Sequence, residues 1–316
     1  MKILFAADLH GKPRLYEELF VIASRSGARC ILLGGDLLPT KIDGPINLVM
    51  GKTDFSVSLR AQIDFIDTWL APKLNAFMDD NPAVEIFYIP GNHEWVHALK
   101  HLEKKIPRAK NIHLSPVSIS GFQLMGYGCV TDSSFWVKDH VRRDFPGDGY
   151  FKSLYACISG PEGISPSEDG AYIGRYPSID EELSALVMDD PGRTICLFHA
   201  PPYDTGLDTL HNGRPIGSRA IRRFIEKRQP LVSLHGHIHE APCMSGHFSS
   251  KLGRTLAINP GHSTHVLHAV IFDADNPEGT MEHCLFGDRS PRDQANLLDR
   301  CILKGTAFVM NNILAR

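Results

Sequence analysis

The chain alternates short apolar runs with longer stretches in which apolar residues recur every three or four positions. Residues 2–7, 30–33, 84–89, 194–198 and 231–234 are near-continuous apolar runs bounded by polar or glycine-containing segments. That is the pattern of strands buried on both faces. Residues 13–26, 56–78, 94–105, 178–188 and 218–227 carry the helical period instead. Ser178 and Ser218 stand where a helix N-cap belongs, and Asp180 and Glu181 follow Ser178 in the opening turn. Beyond His239 the pattern shifts to strands set apart by turns, at 242–248, 254–258 and 266–272, with another strand at 121–127. The expectation is an α/β fold: βαβ units, then a β-rich second half, giving two packed sheets with helices outside.

Two stretches depart from this rhythm. Residues 131–177 are rich in Gly, Pro, Ser and Asp and carry Phe135, Trp136, Tyr150, Phe151 and Tyr155. So long a connection reads as a functional loop or cap-like insertion. Residues 286–316 read as a polar turn followed by a C-terminal helical extension.

At 316 residues the chain buries a core without help from a disulfide or metal. Its composition, 43% hydrophobic and 22% charged, excludes a disordered or collagen-like chain. A net charge of −3 gives no electrostatic footprint for nucleic acid or an acidic membrane. No apolar run approaches the length of a membrane span, and the run at 2–7 is too short for a signal peptide. The seven cysteines include no CxxC pair, and Cys30 and Cys196 read as small buried hydrophobes. A reducing, cytoplasmic setting is the expectation. One count is unusual: 16 histidines against 3 tryptophans. Histidine is the commonest metal ligand and the acid–base side chain of neutral pH.

Five short pieces place such side chains at the C-terminal ends of expected strands, where ligands gather in α/β sheets. They are Asp8-Leu-His10, Gly34-Gly-Asp36, Gly91-Asn-His-Glu94, Phe198-His199-Ala-Pro-Pro202 and Gly236-His-Ile-His239. Hydrolysing a phosphate ester requires holding an anion, making hydroxide at neutral pH and stabilising the leaving oxygen. Two cations about 3.5–4 Å apart do all three. Carboxylate oxygen and imidazole nitrogen suit them, and the lack of cysteine argues against a closed structural zinc site.

As an ordered set, D-x-H, G-D, G-N-H-[DE], H and G-H-x-H resemble the signature of the calcineurin-like metallophosphoesterase family, from Met1 to about Phe272. The resemblance implies a four-layer αββα sandwich of two mixed β-sheets flanked by helices, over residues 1–285. It also implies two divalent metal ions, drawn from Mn, Fe or Zn. One is held by Asp8, His10 and His239, the other by Asn92, His199 and His237, and Asp36 bridges them. His93 is then the general acid or charge stabiliser beside the phosphate, and Glu94 its orienting partner. The implied reaction is in-line attack on phosphorus by a hydroxide lying between the ions.

Other readings use some of the same residues. His93-Glu-Trp-Val-His97 spells H-E-x-x-H, which would put His93 and His97 on one zinc with Glu94 as base. Pro90-Gly-Asn places His93 at a helix start, Lys100 and Glu103 stand where the metzincin extension needs Gly and His, and the other four pieces stay unexplained. A non-catalytic scaffold is disfavoured because every ligand is present. His97 and His101 are expected on a solvated helix face. Arg219, Arg222 and Arg223 read as a solvated face with Glu226 balancing Arg222, ahead of a substrate-phosphate contact.

His211, in the loop after His199, and His262 are candidate rim residues. Asn259-Pro-Gly-His262 resembles the Asn-Pro-Gly-Ser turn of this family, with His where Ser is common. The aromatics Phe135, Trp136 and Tyr150 either stack a base or pack the cap. Ile216-Gly-Ser-Arg-Ala and Leu234-His-Gly-His-Ile-His-Glu resemble the small bacterial-type and cyclic-nucleotide phosphodiesterase branch. The expected partner is a small phosphorylated substrate such as a nucleotide, with no membrane and no nucleic-acid groove. A phosphodiesterase is expected, with a phosphomonoesterase or phosphoprotein phosphatase as the alternative.

Overall fold

The structure is a computed structural model that describes residues 1–42, 53–151, 155–160, 162–167 and 170–287. The expected C-terminal helical extension lies, apart from its first two residues, outside the described residues. The first half runs β1 (Lys2–Ala6), α1 (Pro13–Ser26), β2 (Cys30–Leu33), α2 (Ser56–Phe65), a π-helical turn (Ile66–Leu70), α3 (Ala71–Asp80), β3 (Glu85–Tyr88), α4 (Val96–Lys105) and β4 (Lys110–Asn111). Then come β5 (Val117–Ile119), β6 (Phe122–Tyr127), β7 (Val130–Thr131), β8 (Val141–Arg142), β9 (Cys157–Gly160), β10 (Gly163–Pro166) and α5 (Ile179–Ser184). The rest is β11 (Thr194–Phe198), α6 (Arg219–Arg228), β12 (Val232–Leu234), α7 (Ala241–Ser245), β13 (Ser249–Leu252), β14 (Thr255–Ile258), β15 (Ala269–Asp273), α8 (Pro277–Thr280) and β16 (Glu282–His283).

Two six-stranded sheets result, ordered β16-β15-β1-β2-β3-β4 and β13-β14-β12-β11-β6-β5. Both are mixed. β1 to β4 are parallel while β15 pairs antiparallel with β1; β6, β11, β12 and β14 are parallel while β5 and β13 pair antiparallel at the edges. Alternation along each strand explains the layers. Ile3 and Phe5 join Leu32, Phe87, Leu197 and Leu234 in the core between the sheets. Leu4 and Ala6 face the other way, onto Leu15 and Leu19 of α1 and Leu99 of α4. On the far side, Met125, Cys196 and Phe198 pack on Ile221 and Phe224 of α6. Three apolar interfaces thus separate four layers, the expected αββα sandwich. Cys30 and Cys196 are fully buried within it.

The differences from expectation have local causes. The helix expected at 56–78 is interrupted by the π turn just before Pro72, which lacks the N–H an α-helix needs there. The strand expected at 242–248 is instead α7, opened by Pro242 and closed by Gly246 at φ 85°, and β13 starts only at Ser249. The helix expected from Glu94 begins at Val96. Within 131–177, β8 and the β9–β10 hairpin form, and Ile158 and Tyr172 share the α6 core. Among the described residues no helix is long and apolar enough to cross a membrane.

Candidate metal centre

The five strand-end loops meet at the C-terminal edges of the parallel strands. Their backbones are unusual. Asp8, His10, Asp36 and His237 have φ of 59°, 46°, 52° and 67°, the left-handed region that side chains disfavour. Interlocking backbone bonds hold them there: Asp8 N–H to Gly35 O at 2.9 Å and His10 N–H to Asp36 O at 2.7 Å. Gly91 is required by closeness, since a Cβ there would lie 2.2 Å from Asp36 Oδ1.

The side chains converge in two groups that share Asp36. Asp8, His10, Asp36 and His239 form one, and Asp36, His199 and His237 the other. In the first, His10 Nε2 and His239 Nε2 face each other at 3.2 Å, His239 Nε2 is 3.4 Å from Asp8 Oδ1, and His10 Nε2 is 3.9 Å from Asp36 Oδ2. In the second, His199 Nε2 lies 3.4 Å from Asp36 Oδ2 and 3.1 Å from Asn92 Oδ1. Donors about 2.0–2.2 Å from a shared ion sit roughly 3–3.5 Å apart, so these spacings suit common cations. The orientation of the His199 ring suits one too: its Nδ1–H donates to Gly34 O at 2.8 Å, which turns Nε2 toward Asp36 and Asn92.

Burial draws the Asp8 and Asp36 carboxyls upward, but the imidazoles around them outweigh it and hold both below the usual range. Burial also lowers His10 and His237 to about 3, so both stay neutral, the state in which imidazole can take a cation. His199 goes the other way, to about 9, because Asp36 and Asp8 overcome its burial, so a cation arriving at Nε2 would displace a proton there.

His93 enters from the side. Its Nε2 is 3.7 Å from Asp36 Oδ2, and its backbone N–H donates to Asp36 Oδ1 at 2.9 Å. Glu94, the expected orienting partner, has a different task. Its carboxylate accepts backbone N–H bonds from Asp36 and Leu38, both 2.9 Å, and from Gly91, 2.7 Å, stapling two of the strand-end loops together. Burial and the Asp36 charge raise its pKa to about 7. The His93 ring is held instead by the Thr40 hydroxyl at Nδ1 and by Phe135, stacked 4.2 Å away at 20°. Gln62 of α2 bonds the His93 carbonyl at 2.7 Å. None of these three partners carries a local sequence signal.

The remaining sequence candidates spread out. His262 lies beside His10 and His239, with ring centroids 5.2 and 4.7 Å away. His211 is exposed, 3.6 Å from Glu240 next to His239. The arginine face is balanced as expected: Arg222 pairs with Glu226 at 2.8 Å, Arg219 with Asp148 at 2.8 Å and Arg223 with Asp180 at 3.4 Å. Of the two helix-face histidines, both half-buried, His101 bonds Asp67 at 2.9 Å, whereas His97 has its Nδ1 enclosed without a hydrogen-bond partner. Phe135 and Trp136 pack on the core beneath α1 and α4, while Tyr150 is exposed.

A separate grouping, His113, Cys129 and His140, has donor atoms as close together as a ligand set. His113 Nδ1, however, accepts the Gly128 N–H at 3.0 Å, which keeps the ring proton on Nε2, the atom facing Cys129 Sγ at 3.9 Å. That protonation blocks cation binding by the ring.

The sequence profile of the calcineurin-like phosphoesterases matches residues 1–241. The chain belongs to this family and is a metal-dependent phosphoric ester hydrolase. No curated protein matches it in sequence. One crystal structure aligns at TM-score 0.59 and 15% identity over 89% of this chain and 97% of its own. The crystal structure of TT1561 from Thermus thermophilus aligns at TM-score 0.54 and 18% identity, again over 89% and 97%. These likenesses show the fold. A dimetal phosphatase from Danio rerio aligns at TM-score 0.45 and 12% identity over 92% of this chain and 96% of its own.

Proposed function

We propose that the chain hydrolyses small phosphate diesters, such as cyclic nucleotides, with two divalent ions of the Mn, Fe or Zn kind. Asp8, His10 and His239 hold one ion, Asn92, His199 and His237 the other, and Asp36 both. The observation that carries this reading is the sharing of Asp36 between two donor groups. When bound, such a pair polarises the phosphoryl oxygens and supplies the nucleophile at neutral pH. The chain's own residues do the rest. Asp36 keeps one oxygen on the His93 N–H and turns the other toward both groups. His93, gripped at Nδ1 by Thr40, presents Nε2 and protonates the leaving alkoxide. Phe135 covers one face of that ring and keeps water from it. His211 and His262 border the leaving-group side, and residues 131–177 form the cap-like part of a domain spanning 1–285.

The test is an assay of the ion-reconstituted chain on diester, cyclic-nucleotide and monoester substrates. Turnover of diesters is expected, and Asp36→Asn should lower it by about three orders of magnitude or more with the fold retained. Near-normal turnover by ion-replete Asp36→Asn refutes the site. Activity on monoesters alone refutes the diester preference and selects the phosphatase alternative.

A further inference from the structure

We propose that His262 is an additional protein donor to the ion held by Asp8, His10, Asp36 and His239, so that the two ion sites are unequal. The inference rests on the ligand sets above. His10, His239 and His262 form a donor group of their own, their nitrogens mutually close enough to face one cation. The His262 ring touches the rings of two ligands of the same ion and none of the other ion's.

The mount is built for it. Asn259 is fully buried, and its Nδ2 donates to Leu207 O at 2.9 Å and Ile238 O at 3.1 Å. Its Oδ1 accepts the Gly261 N–H at 2.9 Å. The Pro260 carbonyl takes two imidazole N–H bonds, from His268 Nδ1 and His283 Nε2, each 3.0 Å. The His262 N–H closes the turn on His239 O at 3.2 Å. Two buried histidines therefore fix the turn that carries a third, and a surface turn with no further duty would not need such an anchorage.

The chemistry follows from the donor count. With His262 the first site has three imidazoles against two in the second, which has Asn92 as its neutral oxygen donor. More nitrogen favours the later divalent metals, in the usual order of stability, and tighter binding. The first ion is then the retained one and the second the exchangeable one.

The experiment uses the full chain stripped by chelator and titrated with Co²⁺, read by calorimetry and visible absorption. Wild type should show a tight and a weaker event. His262→Ser, with the residue common at this position of the resembling turn, should keep the fold by circular dichroism and weaken only the tight event, by about 10-fold or more. Free imidazole should restore both the affinity and the Co²⁺ spectrum. Unchanged affinity and spectrum in His262→Ser overturn the inference and leave the proposed function standing. So does a variant that raises KM alone, which makes His262 a substrate contact. A wild-type chain that binds no Co²⁺ overturns the inference together with the ligand sets.

Discussion

A proton donor works only if its ring is held in one plane and one tautomer. At His93, the proposed donor, the Thr40 hydroxyl and the Phe135 face hold the ring. Thr40→Val keeps the shape and removes the bond. We expect kcat to fall about 10-fold or more while both ions still bind, since partners of this kind typically matter 10- to 100-fold. The readout is kcat and KM beside the bound-ion count. A lost ion assigns Thr40 to folding of the loop, and an unchanged kcat removes it from the mechanism. Glu94 teaches the converse. Standing next to His93 in the chain, it is the natural candidate for the orienting partner. Adjacent side chains diverge, however, and the Glu94 carboxylate turns to the backbones of Asp36, Leu38 and Gly91. The members of the two donor groups were legible because strand ends fix their positions within a few residues. The partners Thr40, Gln62 and Phe135 were not, because they arrive through space from three other segments.

The elements were legible in proportion to their burial. β2 and β11 match their apolar runs to the residue, because a strand covered on both faces leaves no polar position to blur its ends. The segment at 242–248 misled because its apolar content is short, and Pro242 and Gly246 decide its conformation instead. The 131–177 segment hid its organisation because polar anchors hold it. Asp144 sits at the N-terminus of α6 with its carboxylate on the N–H groups of Arg219, 2.7 Å, and Ala220, 3.2 Å, and on the Ser218 hydroxyl. A buried carboxylate there satisfies donors a helix start cannot pair and meets the positive end of its dipole. Asp144→Ala should destabilise the chain by roughly 1–3 kcal/mol, since it strands those donors. Urea unfolding measures this, and limited proteolysis should show earlier cleavage within 131–177. Equal stability means water replaces the carboxylate at no cost and the segment is anchored elsewhere.

For the whole molecule the histidine surplus has a consequence for acid stability. Away from the two candidate donor groups, burial holds His113 and His268 down to about 4 and His283 down to about 3. In the unfolded chain each titrates near 6.5. Above that value neither state carries these protons and nothing is gained or lost. As the pH falls through 6.5 the unfolded chain takes them up and the folded chain does not, so stability drops until the folded pKa is reached. Each fully buried group contributes about 1.4 kcal/mol per pH unit, so three set a limit of ~4 kcal/mol between pH 7.5 and 5.5. Urea midpoints at those two pH values should show the fall. His268→Asn offers an amide N–H where Nδ1 now meets Pro260 O, and it should flatten the slope by up to one proton. A pH-independent midpoint would mean that the folded chain protonates these histidines after all. Because the Asn amide keeps the bond to Pro260 O beneath His262, Co²⁺ affinity should stay unchanged while the acid slope flattens, which separates the titration of His268 from its anchoring of the turn.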